Sequence, residues 1–86
     1  MSAGRIYVEG ELYLSVETVA EIYRVEVVWL REVVDAGLIA GGVASAPTLC
    51  IAAARQDHVA TIVRLHSALG LDVDAIRLVL ESAGGR

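Results

Sequence analysis

Lysine, phenylalanine and asparagine are missing from this 86-residue sequence, and cysteine, proline, methionine and tryptophan occur once each. Without lysine, every basic group is one of seven scattered arginines, set against eleven acids for a net charge of −4. Such a chain is a poor match for the phosphate backbone of nucleic acid, which rewards clustered positive charge. It better suits a basic protein surface. The single Cys50 cannot close an intramolecular disulfide, so no cysteine framework points to secretion; it reads as a small buried hydrophobe. The opening MSAGRIYVEGELY lacks the apolar run of a signal peptide. The longest apolar-looking stretch, VVDAGLIAGGVASAPTLCIAAA, is broken by Asp35, three glycines and Pro47, too often to span a bilayer as one helix. A cytoplasmic location is the resulting expectation.

Chemistry is also thinly provided. Cys50, His58 and His66 are too few and too spread for zinc, so no metal site is expected. A Cys–His catalytic pair has no identifiable orienting group or oxyanion hole. The glycines of AGLIAGG lack the lysine and the spacing of a phosphate loop. No cofactor is expected, and a non-enzymatic role is the stronger expectation.

What is present is a hydrophobic fraction of 56%, enough for one modest core in a single domain over residues 1–86. Two β-prone triplets flank Glu9-Gly10, predicting a small hairpin or one extended strand. Ser15 is an N-cap for a first helix that runs to about Tyr23 on a stripe of Val16, Val19, Ala20 and Ile22. A short Arg24-Val25 connection leads to a second helix, about Glu26–Ala36, with Val27, Leu30, Val33 and Val34 inward. Gly37 is placed as its left-handed C′ residue, with Leu38 or Ile39 folding back. Residues 40–51 read as a loop ending in a β-like triplet. A third helix, about Ala53–Leu69, carries Val59, Ile62, Val63, His66 and Leu69 near one face and ends at Gly70. Asp72 caps a fourth that turns Val73, Ile76, Val79 and Leu80 inward and ends near Ser82, leaving a frayed AGGR tail. The expected fold class is mainly α: a small winged helix-turn-helix-like domain of about four helices with a minor β-hairpin or wing.

LSVETVAEIYRVEVVWLREVVDAGLI is similar to the opening of MerR-type helix-turn-helix domains in its apolar-x-x-Ala-Glu run, Val25, Val27, Leu30, Arg31 and the closing Gly37-Leu38. VRLHSALGLDVDAIRLVL resembles the third and fourth helices of the same domain, extending the likeness over about residues 12–81. The closer resemblance is to the chaperone-modulator (CbpM-like) branch, through Arg64-Leu65-His66, Leu69-Gly70-Leu71-Asp72 and the Ile76 spacing. That resemblance implies a protein that binds the J-domain of a DnaJ-type co-chaperone and regulates its work with Hsp70. The departures are specific. Val28, Glu32 and Val33 stand where a DNA-reading helix would be basic or aromatic, and GGVASAPTL has no basic residue where a Gly-Tyr-Arg wing would lie. Ala52 to Ala54 replace the polar cap expected before the third helix. Modulators often continue the fourth helix into a longer coil, whereas this sequence stops at Arg86.

With Val27, Leu30 and Val34 inward, the helical period turns Val28, Trp29, Arg31, Glu32 and Asp35 outward. J-domains present a basic helix beside their His-Pro-Asp loop, and the resemblance implies that acids here could occupy it. The expected partner-binding residues are Trp29, Glu32 and Asp35, then Glu26 and Arg31. Trp29 has a second reading, as a half-buried core residue over the hairpin, and Glu32 and Asp35 have one as a solvated helix face. His66 reads as a satisfied core histidine and His58 as exposed. The alternative function is a MerR-like transcriptional regulator, with Arg24, Arg31, Arg55 and Arg64 as its basic residues; specific DNA binding is the less expected outcome. A homodimer is possible, and a third reading is an assembly subunit using exposed Val28 and Val43.

Overall fold

A computed structural model describes residues 4–39, 41–44 and 48–84. They form four strands and four helices: β1 (Arg5–Val8), β2 (Glu11–Ser15), α1 (Val16–Tyr23), α2 (Val27–Asp35), β3 (Val43–Ala44), β4 (Cys50–Ala52), α3 (Gln56–Leu69) and α4 (Val73–Gly84). A 3-10 turn at Ala53–Arg55 leads into α3. The sheet is antiparallel throughout, in the order β1-β2-β4-β3. It is more than the minor hairpin or wing expected, because the supposed loop of residues 40–51 supplies two of its strands. β4 pairs with both β2 and β3, so two segments distant in sequence join one sheet. The Gly85-Arg86 end of the tail expected to fray lies outside the described residues, and α4 runs to Gly84, past Ser82.

Local signals set most boundaries. Glu9 and Gly10 both take positive φ (52° and 85°), the two-residue turn whose twist suits a tight hairpin. Ser15 accepts from Thr18 N–H at 3.1 Å and caps α1. α2 ends as the sequence predicts: Gly37 has φ +77°, its N–H meets Val34 O at 3.0 Å, and Leu38 N–H meets Val33 O at 3.3 Å. That pair of bonds is a Schellman motif. It folds Leu38 and Ile39 back so that both are buried. α1 closes the same way, Val25 N–H on Ala20 O at 3.0 Å, but with Arg24 in the left-handed position (φ +59°). Gly70 ends α3 at φ +69°, and Asp72 Oδ1 accepts from Ala75 N–H at 2.9 Å to start α4.

One aliphatic core joins the layers. Val16, Val19 and Ala20 of α1 meet Leu30 and Val33 of α2, Ile51 of β4, Val59, Ile62 and Val63 of α3 and Ile76 of α4. Val27, Val34 and Leu80 are half-buried against it. Three apolar residues expected inward face out instead. Ile22 is exposed because α1 turns Tyr23 inward, where its hydroxyl donates to Gln56. Leu69 is the last residue of α3, where the chain turns away at Gly70, and it is exposed. Val79 is exposed beside Leu78 because α4 packs through Val73, Ile76 and Leu80. Val43, expected exposed, is half-buried in β3 opposite Ile51. Among the described residues no helix is long and apolar enough to cross a membrane.

Candidate functional site

The outward side of α2 is rigidly mounted, since Leu30 and Val33 on its opposite side are in the core. Val28 projects from it, 70% exposed. Glu26 is the exposed N-cap residue of α2, in extended backbone with no side-chain capping bond, and its carbonyl accepts from Leu30 N–H at 3.0 Å. Arg31 is not a free cation. Its Nη2 donates to Glu17 Oε2 of α1 at 2.7 Å, an exposed pair that ties the two helices together. At such exposure a pair contributes about 0.2–1 kcal/mol.

Trp29, Glu32 and Asp35 are spaced three apart along α2, the first half-buried and the two acids exposed. Trp29 departs from the outward placement expected of it. Its indole stacks on the His66 imidazole of α3, centroids 4.3 Å apart and planes at 23°, and it packs against the core rather than standing in solvent. The physical reason is that α3 and the start of α4 lie beside α2 there and cover most of the ring. Its Nε1–H is buried without an acceptor. His66 is half-buried, and its Nδ1 lies 2.9 Å from Leu71 O. His58, expected exposed, is also half-buried, with Nε2 2.8 Å from Leu38 O.

A shallow cleft of about 200 Å³ opens beside this stack, lined by Trp29, Glu32, His66, Asp72, Val73 and Asp74. The sequence-predicted Trp29 and Glu32 thus meet in one place, while Glu26, Arg31 and Asp35 do not line it. Asp72 and Asp74 were not anticipated as site residues. Asp72 shows in sequence only as a helix cap, and both line the cleft with Glu32 because the chain turns at Gly70 and brings the start of α4 beside α2. Glu32, Asp72 and Asp74 have no cationic partner among the described residues, where the ion pair is Arg31–Glu17. Nor do any described residues form a group of three or more His, Cys, Asp or Glu that could hold a metal ion.

The acids of α2 run against the helix's own electrostatics. Glu32 and Asp35 occupy its last turns, the negative end of the helix dipole, where cations are stabilising and no basic residue stands. Cys50 is remote from the cleft, buried in β4 with Sγ donating to Thr48 O at 3.0 Å. Burial pushes its thiol pKa up, and the negative charge of Glu17 adds to the effect. It is a protonated, structural group. Compared with known proteins, the chain matches no family model, no curated protein and no solved structure.

Proposed function

We propose that this chain is a winged helix-turn-helix-like binding module that engages the basic helix of a DnaJ-type J-domain and so regulates that co-chaperone's work with Hsp70. In this reading β3 and β4 take the place of the wing, and the protein acts in the cytoplasm without chemistry of its own. The observation that carries it is that Glu32, Asp72 and Asp74 line one cleft walled by Trp29 and His66, with no cationic partner among the described residues. An anionic cleft with an aromatic wall repels phosphate and attracts a basic helix, speeding encounter and excluding wrong partners. Asp35 extends the negative surface along α2, and Glu26 and Val28 flank it at the helix start. The adverse placement of Glu32 and Asp35 on the helix dipole supports a role other than fold stability.

For the DNA-binding alternative, Arg31 is shared with Glu17 in an exposed pair of about 0.2–1 kcal/mol, a modest competitor to a phosphate contact. Pull-down of the chain by an isolated J-domain, run beside a DNA mobility-shift assay, tests the reading. Capture by the J-domain and no sequence-dependent shift is the expected pair of results. A salt-sensitive, sequence-dependent shift at submicromolar protein, with no J-domain capture, supports the transcriptional regulator instead.

A further inference from the structure

Histidine is the side chain whose charge ordinarily changes between about pH 5 and 8, and one histidine, His66, forms a wall of the anionic cleft. Its two ring nitrogens have different duties. Nδ1 lies 2.9 Å from Leu71 O, and a carbonyl only accepts, so Nδ1 carries the hydrogen and Nε2 is the basic nitrogen of the neutral ring. Among the described residues nothing bonds to Nε2, and the buried side-chain nitrogens without a partner are Trp29 Nε1 and Gln56 Nε2. His66 Nε2 is therefore open to water. A proton can be gained there while the Leu71 bond and the Trp29 stack, 4.3 Å between centroids, both stay in place. What changes is the charge of the wall.

The charged groups that line the cleft with His66 are Glu32 from α2 and Asp72 and Asp74 from the start of α4. Arg64, earlier on α3 itself, is exposed and lines no part of the cleft. Arg77 of α4 lines a second cleft, with His58 and Glu81. Carboxylates ordinarily stay ionised above about pH 5, so the three acids keep their charge over the interval in which a histidine gains one. We propose that His66 regulates the cleft by protonation. Neutral, it leaves Glu32, Asp72 and Asp74 open to a basic helix; protonated, it supplies a cation that competes with that helix for them. The inference rests on the reading of this cleft as the J-domain site. One positive charge set against three negative ones weakens the field of the cleft without reversing it. The regulation is accordingly graded: capture is fastest at neutral pH and slows as the medium acidifies.

Stopped-flow association of the full chain with a J-domain at about pH 7.5 and about pH 5.5, for the parent, His66→Gln and His66→Arg, tests this. Relative to His66→Gln, the parent should slow about two- to threefold between the two pH values, since one of three cleft charges is then offset. His66→Arg, which carries the cation permanently, should be slow at both. Any response that belongs to the J-domain's own groups is common to all three proteins and cancels between them. The Trp29 indole, the single tryptophan, reports the proton with no partner present. Its emission should fall with pH as the stacked imidazole becomes a quenching cation, and His66→Gln should show no such step. Circular dichroism establishes that each variant is folded. Equal pH responses in the parent and His66→Gln, or a parent without the emission step, overturn the inference and leave the J-domain reading standing. Failure of all three proteins to associate with the J-domain at either pH overturns the reading and the inference together.

Discussion

The Trp29 indole and the His66 imidazole lie face to face, 4.3 Å between centroids, and this stack fastens the first turn of α2 to α3. It gives Trp29 two duties, packing and lining the cleft, which substitutions can separate. Trp29→Ala removes the stack and half-buried surface, and should destabilise the fold by about 2–4 kcal/mol in urea unfolding. Trp29→Phe keeps a ring against His66 and deletes the buried indole N–H that has no acceptor. Relief of that unsatisfied donor, about 1–3 kcal/mol, offsets much of the lost area, so this variant should unfold close to the parent. It is therefore the proper variant for binding measurements.

Two helix ends predict effects of opposite sign. A Cβ at Gly37 meets nothing within 4 Å, so the cost of Gly37→Ala is purely that of its φ of +77°. That cost should be about 1 kcal/mol. Arg24 holds the equivalent position at the end of α1 with φ +59°. Arg24→Gly should be neutral to stabilising by up to about 1 kcal/mol, as relief of backbone strain competes with the entropy of an added glycine. Chemical denaturation of both variants checks the pair.

These helix ends were legible because their signals are local. Ser15, Gly37, Gly70 and Asp72 act through backbone groups within a turn or two of themselves, and each does what its residue type and position suggest. Facing was less legible wherever a distant element decides it. Periodicity puts Ile22 on the inward stripe, and Tyr23 turns in instead because its ring packs on the core and its hydroxyl reaches Gln56, across the fold. Trp29 looks outward from the heptad of α2 alone because nothing local reveals that His66 will stack on it. β4 shows in sequence as the β-like triplet that ends the loop, while β3 is so short that the loop around it hides it, and their sheet forms only because β4 pairs with the distant β2. The cleft was half legible: Glu32 shows as an outward acid, while Asp72 and Asp74 join it only through the turn at Gly70.

The acids of α2 should trade stability for binding. Glu32→Lys and Asp35→Lys each replace an unfavourable charge at the negative end of the helix dipole with a favourable one. Each should raise stability by about 0.3–1 kcal/mol at low salt, less at high salt. The same Glu32→Lys should weaken capture by a J-domain. Thermal unfolding alongside binding reads both effects in one series.

Cys50 sets a pH dependence. Its pKa in the fold is raised above the ordinary value of 9.0, first by burial and then by Glu17. A raised pKa means that the folded state holds the proton more tightly than the unfolded chain. The associated stability is fully present below pH 9.0 and is lost as the pH rises through the interval up to the folded-state pKa. Comparison of the parent with Cys50→Ala isolates this from tyrosine ionisation. The parent should lose stability more steeply than the variant above pH 9, and its thiol should react with alkylating reagents chiefly through opening of the fold.

Reception of a basic J-domain helix by the anionic cleft beside Trp29 is read most directly from the association rate. Stopped-flow mixing of a J-domain with the parent and with Glu32→Gln/Asp72→Asn/Asp74→Asn, at two ionic strengths, is the decisive measurement. Asparagine keeps the cap that starts α4, so the variant retains the fold while losing the cleft's charge. Association should slow with salt in the parent, and be about tenfold or more slower and less salt-dependent in the variant. Equal rates for the two proteins, or no association with the J-domain at all, would contradict it.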